Sequence, residues 1–154
     1  MNRSKRRPKK SMPCQEFDAD KMVMKLGLTI PADVMAITPL VESIMDQVRD
    51  MSCAVGKEFE IETSLREALA NAIVHGCRGD CTKEVQVCIA CEENHGILII
   101  VRDPGPGFDP HTIPSPVHGQ NVFSSHGRGI FLISQLMDEV AFELGGTEIH
   151  MRKH

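Results

Sequence analysis

The most informative stretch of this chain is Glu67-Ala-Leu-Ala-Asn71-Ala-Ile-Val-His75-Gly76. Residues four apart share one face of a helix, so Glu67, Asn71 and His75 form a polar stripe on a mostly apolar segment. A solvated face is the ordinary explanation of such a stripe. In the functional interpretation, Asn71 offers a carbonyl oxygen to Mg²⁺ and Glu67 acts as general base near a γ-phosphate. His75, the weakest member, would then only cap or pack at the helix end.

A second block, Asp103-Pro-Gly105-Pro-Gly107-Phe108, follows the apolar run 99–101, which predicts a strand that ends at Asp103. A carboxylate at this exit can accept a hydrogen bond from an exocyclic amine such as that of adenine. Gly105 and Gly107 let the backbone approach a ligand closely or take a positive φ. The same residue types form ordinary turns, which is the alternative explanation when this block is taken alone.

A third block, Gly127-Arg128-Gly129-Ile130, opens another predicted helix. Glycines at a helix start leave backbone N–H groups facing an anion, and the helix dipole adds to the attraction. A glycine hinge before a buried helix is the alternative. Residues 110–126 contain no Lys or Arg, which leaves Arg128 as the candidate cation for a γ-phosphate. Thr147 can offer a hydroxyl to the base, although a Thr on a strand face is equally ordinary.

Composition and charge are those of a soluble globular protein. The chain has 154 residues, of which 42% are hydrophobic and 25% charged. No apolar run approaches the roughly 20 residues of a membrane span, and no apolar segment follows the basic start, so we expect a cytoplasmic protein. Six of the 17 basic residues lie within residues 1–10, which hold no acid. The remainder is therefore acidic and a poor candidate for binding nucleic acid.

Hydrophobic periodicity predicts three helices and five strands. The first helix begins at Thr38-Pro39 and is closed by Gly56, the second covers about 59–75 with Gly76 as its stop, and the third covers about 127–137. The strands are predicted over 22–30, 83–92, 96–102, 138–144 and 147–152.

The hairpins between these strands indicate an α+β fold. We expect a two-layer α/β sandwich in which a mixed, largely antiparallel sheet carries helices on one face. Residues 18–154 are predicted to form this single domain, preceded by a basic, disordered tail over 1–17. The Pro- and Gly-rich stretch 104–126 is longer than a loop usually is without a purpose, which predicts an active-site lid.

The cysteines are expected to be reduced thiols, because no secretory signal is evident. They are Cys14, Cys53, Cys77, Cys81, Cys88 and Cys91. Their spacing raises the possibility of zinc. However, Cys88 and Cys91 are three residues apart on a predicted strand, so their side chains point to opposite faces. Without a bulge they could not reach the same metal ion, and we therefore expect no structural zinc.

Together the three blocks resemble the N, G1 and G2 boxes of the GHKL ATPase superfamily. The chain is most similar to the small bacterial branch of RsbW-type anti-sigma-factor serine-protein kinases, which contain a HATPase_c-like domain. The resemblance covers about residues 24–152 and extends into the final stretch Gly145-Gly-Thr-Glu-Ile-His-Met-Arg-Lys153. The chain has no room for the phospho-accepting helical hairpin of a histidine kinase, which supports the smaller branch.

The resemblance implies a Bergerat-type ATP site. Glu67 would match the catalytic base, Asn71 the magnesium ligand and Asp103 the adenine contact. The glycines that shape the lid and phosphate cradle would be Gly105, Gly107, Gly127 and Gly129, and further nucleotide contacts would come from Arg128 and Thr147.

Members of this branch often dimerise, bind a sigma factor and phosphorylate a serine on a small STAS-domain antagonist. The resemblance thus implies an ATP-binding anti-sigma factor with serine/threonine kinase activity that uses ATP and Mg²⁺. The alternative is a nucleotide-gated protein-binding module that keeps the ATP pocket but has no kinase activity.

Overall fold

The computed structural model describes residues 22–92, 96–109 and 125–154, which form three α-helices and five strands. The helices are α1 (Ile37–Asp50), α2 (Glu58–Asn71) and α3 (Ser125–Leu136). The strands are β1 (Met22–Pro31), β2 (Glu84–Glu92), β3 (Gly96–Arg102), β4 (Glu139–Glu143) and β5 (Glu148–Lys153). A π-helical turn, Ala72–Gly76, continues α2, and a 3₁₀ turn, Leu144–Gly146, joins β4 to β5.

The strands form one sheet in the order β1-β2-β3-β5-β4. All four pairings between the described strands are antiparallel. The predicted two-layer α+β fold is confirmed, and its sheet has no parallel pair within the described part of the chain, so the mixed component of the prediction is absent there. Because β5 pairs with β3 in the antiparallel direction, the end of β3 is adjacent to the start of β5.

The core lies between the helices and one face of the sheet. Alternate residues of a strand point to opposite faces, and the inward-facing set on β2 and β3 consists of Val85, Val87, Ile89, Cys91, Ile97, Ile99 and Val101. Leu65 and Leu69 of α2 pack into the same cluster with no exposed surface. A smaller buried cluster on the opposite face contains Cys88, Leu98 and Ile100. Burial of this kind stabilises by about 1.5–3 kcal/mol per large side chain.

The cysteine predictions have a divided outcome. Cys91 lies in the main core and Cys88 in the cluster on the other face, so the predicted opposite orientations are confirmed. The expectation of reduced thiols is wrong, because Cys53 and Cys91 form a disulfide with a Cα–Cα distance of 5.9 Å. Cys88 is also disulfide-bonded, whereas Cys77 and Cys81 are free thiols. Folding brings the α1–α2 turn against the end of β2, a contact that spacing along the chain does not reveal.

Two predictions concern residues outside the described ranges. The tail over 1–17 is not described, and most of the predicted lid, 110–124, lies outside them as well. None of the helices in the described part of the chain is long and apolar enough to cross a membrane.

Candidate functional site

An open cavity of about 240 Å³ lies where the end of α2, the end of β3 and the start of β5 meet. Four of the residues predicted to bind nucleotide line this cavity, namely Asn71, Asp103, Gly107 and Thr147. The other predicted site residues, Glu67, Gly105, Gly127, Arg128 and Gly129, do not belong to its wall. Of these, Gly105 packs against Asp103 and Gly129 against Asn71, both of which line the cavity.

Asp103, in the cavity wall, is held in place by backbone hydrogen bonds. Its N–H donates to the carbonyl oxygen of Thr147 at 2.9 Å, which ties the end of β3 to the start of β5. Its carboxylate oxygen Oδ1 accepts a hydrogen bond of 2.8 Å from the N–H of Gly105. The hydroxyl of Thr147 donates to the carbonyl oxygen of Leu144 at 2.8 Å, so its oxygen can still act as an acceptor. This part of the wall thus presents oxygen atoms to a donor such as an amine.

Gly76 makes room for the Asp103 carboxylate. A Cβ atom built on Gly76 would lie 2.5 Å from each oxygen of that carboxylate, closer than real Cβ contacts occur. Gly105 is confined in the same way, because its Cβ would lie 2.8 Å from Oδ1 of Asp103 and would collide with the carbonyl of Gly76. From the sequence, Gly76 was predicted only to end the helix. Its second role depends on a neighbour distant in the sequence.

The apolar wall of the cavity is formed by the segment after β3, which carries Phe108, and by β4, which carries Phe142. The rings of Phe108 and Phe142 meet edge to face, with centroids 5.3 Å apart. The N–H of Phe108 donates to the carbonyl of Gly145 at 2.9 Å, and a Cβ on Gly146 would lie 2.8 Å from that same nitrogen. Both rings line the cavity. Phe142 was not among the residues predicted from the sequence, although its alternation with Val140 on a predicted strand was a usable signal.

The start of α3 packs directly on the polar stripe of α2. A Cβ on Gly129 would lie 2.8 Å from Oε2 of Glu67 and 3.2 Å from Nδ2 of Asn71. The third sequence block therefore lies against the first, and only a residue without a side chain allows this approach. Gly127 and Gly129 are buried while Arg128 is exposed. The N-terminal half of α3 is thus beside Glu67 and Asn71.

The turn after α2 contributes two further groups to the cavity wall, His75 and Arg78. Partial burial lowers the pKa of His75 below its ordinary value of 6.5, so the ring is mainly neutral at pH 7. Arg78 has a left-handed backbone with φ of 53° and is followed by Gly79 at 69°. Arg78 was not predicted from the sequence, because nothing in a turn sequence shows which way a side chain faces.

Cys77, next to this turn, is buried and chemically quiet. Burial raises the pKa of its thiol, and the negative charge of Asp103 raises it further. A thiol is a poor nucleophile, so Cys77 has the properties of a packing residue.

No group of three or more His, Cys, Asp or Glu side chains in the described ranges is placed to hold a metal ion.

The family of this chain follows from comparison with known proteins. The family model of the histidine kinase-like ATPase domain matches residues 30–153. The chain therefore belongs to this family, and the resemblance inferred from the three sequence blocks is confirmed.

Among individual relatives, the chain is 34% identical over 101 residues to serine-protein kinase RsbW of Bacillus licheniformis. That match covers 61% of this chain and 62% of the relative, which is less than two thirds of its length. The chain is also 29% identical to the anti-sigma F factor of Priestia megaterium and 30% identical to that of Bacillus subtilis (strain 168). Each of these matches spans 100 residues, 62% of this chain and 68% of the relative.

Proposed function

We propose that this protein is an anti-sigma factor with ATP-dependent serine/threonine kinase activity. It binds ATP in the cavity, sequesters a sigma factor, and phosphorylates a serine of a small STAS-domain antagonist. Membership of the histidine kinase-like ATPase family and the names of its relatives support this proposal. The observation that carries it is the contact of Gly129 with Glu67 and Asn71, together with the shared cavity that Asn71 and Asp103 line.

In this proposal the adenine base of ATP lies beside Asp103. The exocyclic amine of adenine donates to the carboxylate of Asp103, and the base packs between the apolar wall of Phe108 and Phe142 and the end of α2. The phosphates extend toward Asn71 and the N-terminal half of α3, where the positive end of the helix dipole attracts the negative charge.

The donor set near the proposed phosphate position suits magnesium. Asn71 offers an amide oxygen and Glu67 a carboxylate, which are the hard ligands that Mg²⁺ prefers. A magnesium ion in such sites takes only one or two protein ligands and completes its shell with phosphate and water, so no dedicated cage is needed. We assign Asn71 as the protein ligand. When bound, the ion neutralises negative charge on the phosphates.

Glu67 is the proposed general base for phosphoryl transfer. The Oγ of the acceptor serine attacks the γ-phosphorus, the bond between the γ-phosphorus and the bridging oxygen breaks, and ADP leaves. The hydroxyl proton passes to the carboxylate of Glu67 and then to water. Glu67 lies one helical turn from Asn71, so the general base would be adjacent to the phosphate.

The ATP pocket can be tested by calorimetry with ATP and ADP, with and without Mg²⁺. We expect magnesium-assisted binding to the wild type and at least a tenfold weaker affinity in Asp103→Asn, because the amide loses the charged acceptor, a difference of about 1.4 kcal/mol. Absence of binding to the folded wild type would contradict the proposal and leave a family scaffold without a working pocket.

A second function, a nucleotide-gated binding module without kinase chemistry, is separated by Glu67→Gln. The kinase proposal predicts that this variant binds ATP normally but no longer transfers phosphate to the antagonist. Glu60→Gln, the same substitution in the first turn of the same helix, is the matched control and should retain transfer. Unchanged partner regulation by the Glu67 variant would favour the binding module.

A further inference from the structure

A buried charged cluster lies on the face of the sheet opposite the helices. Arg102 and Glu148 are only 6% and 2% exposed, and they are direct partners in the β3–β5 ladder. The Nε of Arg102 donates to Oε2 of Glu148. The other carboxylate oxygen, Oε1, pairs with Nε2 of His150 at 2.5 Å. Glu148 therefore joins two basic side chains from neighbouring strands.

This cluster lies directly behind the proposed base site. Arg102 precedes Asp103 in the chain, and Glu148 follows Thr147. Successive residues of a strand face opposite sides of the sheet. The ion pair therefore lies on one face, and the adjacent cavity residues lie on the other face at the same end of the two strands. The N–H of Asp103 donates to the carbonyl of Thr147 immediately beyond the Arg102–Glu148 pair. The ion pair thus holds together the two strand ends that carry the base-contacting residues.

Stability alone does not explain an ion pair at this position. A buried pair is often no more stabilising than two apolar residues of the same size, because both charges must be removed from water. What such a pair adds is a defined geometry. The other ion pairs of this face join Arg152 to Glu92 and Glu139 at 3.4 Å, and Glu139 is 65% exposed. The pair with Glu139 is exposed and contributes little, whereas the pair with Glu92 is partly buried.

We propose that Arg102, Glu148 and His150 form a positioning network for nucleotide binding. By fixing β3 against β5 at the point where both strands reach the cavity, the network sets the distance between the Asp103 carboxylate and the Thr147 hydroxyl. These residues do not touch the ligand and act through their neighbours. The ligand part of this inference rests on the proposed ATP site, whereas the effect on Asp103 does not.

The test uses Glu148→Gln, which keeps the side-chain size and removes the charge. We expect hydrogen exchange at the Asp103 amide to accelerate about tenfold, while the amide of Ile99 in the middle of β3 is unchanged. The Kd values of adenosine and of ATP should rise together by about tenfold, or 1.4 kcal/mol, because the defect is at the base end. Glu139→Gln makes the same substitution on the same face and should change neither quantity.

The double variant Arg102→Gln/Glu148→Gln carries the same test if the single variant does not fold, because it leaves no unpaired buried charge. A folded variant with wild-type exchange at Asp103 and wild-type Kd, even if its melting temperature falls, would overturn the inference. If the wild type itself binds no nucleotide, the proposed function fails, and the exchange rate at Asp103 still decides whether the network positions that residue.

Discussion

Replacing Gly76 by alanine tests the geometry of the base site most directly. The added methyl group would lie 2.5 Å from both carboxylate oxygens of Asp103, so one of the two groups must move. Gly76 belongs to a π-helical turn whose neighbours Ala72 and Ile73 are buried in the core, which restrains the backbone. We therefore expect the carboxylate to rotate away and to lose its hydrogen bond from the N–H of Gly105.

The size of the effect follows from the interactions lost. A hydrogen bond to a charged group contributes about 1.5–3 kcal/mol, and a displaced Asp103 could no longer accept one from the base. The Kd of adenosine should therefore rise between roughly tenfold and a hundredfold. The Kd of ATP should rise by the same factor, because the phosphate end of the cavity is unchanged.

Calorimetry with adenosine and with ATP measures this effect. Gly56→Ala is the control, since Gly56 has a φ of 80° and a Cβ there would meet nothing within 4 Å. The control should lower the free energy of unfolding by about 1 kcal/mol through backbone strain and leave both Kd values unchanged. Wild-type affinity for adenosine in a folded Gly76→Ala variant would refute the assignment of Asp103 as the base contact.

Three further predictions concern the disulfide and the cavity rim. Cys53→Ser should lower the free energy of unfolding in urea by about 4 kcal/mol, because the disulfide to Cys91 closes a separation of 38 residues. Cys81→Ser, at an exposed free thiol, should leave this free energy unchanged. Equal stability of the two variants would contradict the prediction. Because burial lowers the pKa of His75, its ring gains a positive charge only as the pH falls below about 6.5. The affinity for ATP should therefore increase below that pH, and His75→Gln should flatten the dependence of affinity on pH. Identical pH profiles of the wild type and the variant would exclude the effect. Arg78→Ala should weaken ATP binding several-fold in the same calorimetric assay, and unchanged binding would remove Arg78 from the site.

The elements of this fold, and the helix and strand positions of several candidate site residues, could be predicted from local patterns. The four-residue spacing of Glu67 and Asn71 predicted one helix face, and α2 places both residues beside the start of α3. The apolar run before Asp103 predicted a strand that ends at the cavity, as β3 does. Such predictions succeed because helix and strand periodicity depend on residues that are neighbours along the chain.

Contacts between distant segments were decided by the tertiary structure. The insertion of β5 between β3 and β4 brings Thr147 to Asp103 and buries the Arg102–Glu148 pair, and no periodicity reports a strand order. The disulfide between Cys53 and Cys91 likewise depends on a contact between segments that are distant in the sequence. The sequence contains the glycines and carboxylates of the site. Only the packing of α2 on β3 and α3 shows which glycine faces which carboxylate, because a close approach depends on both partners.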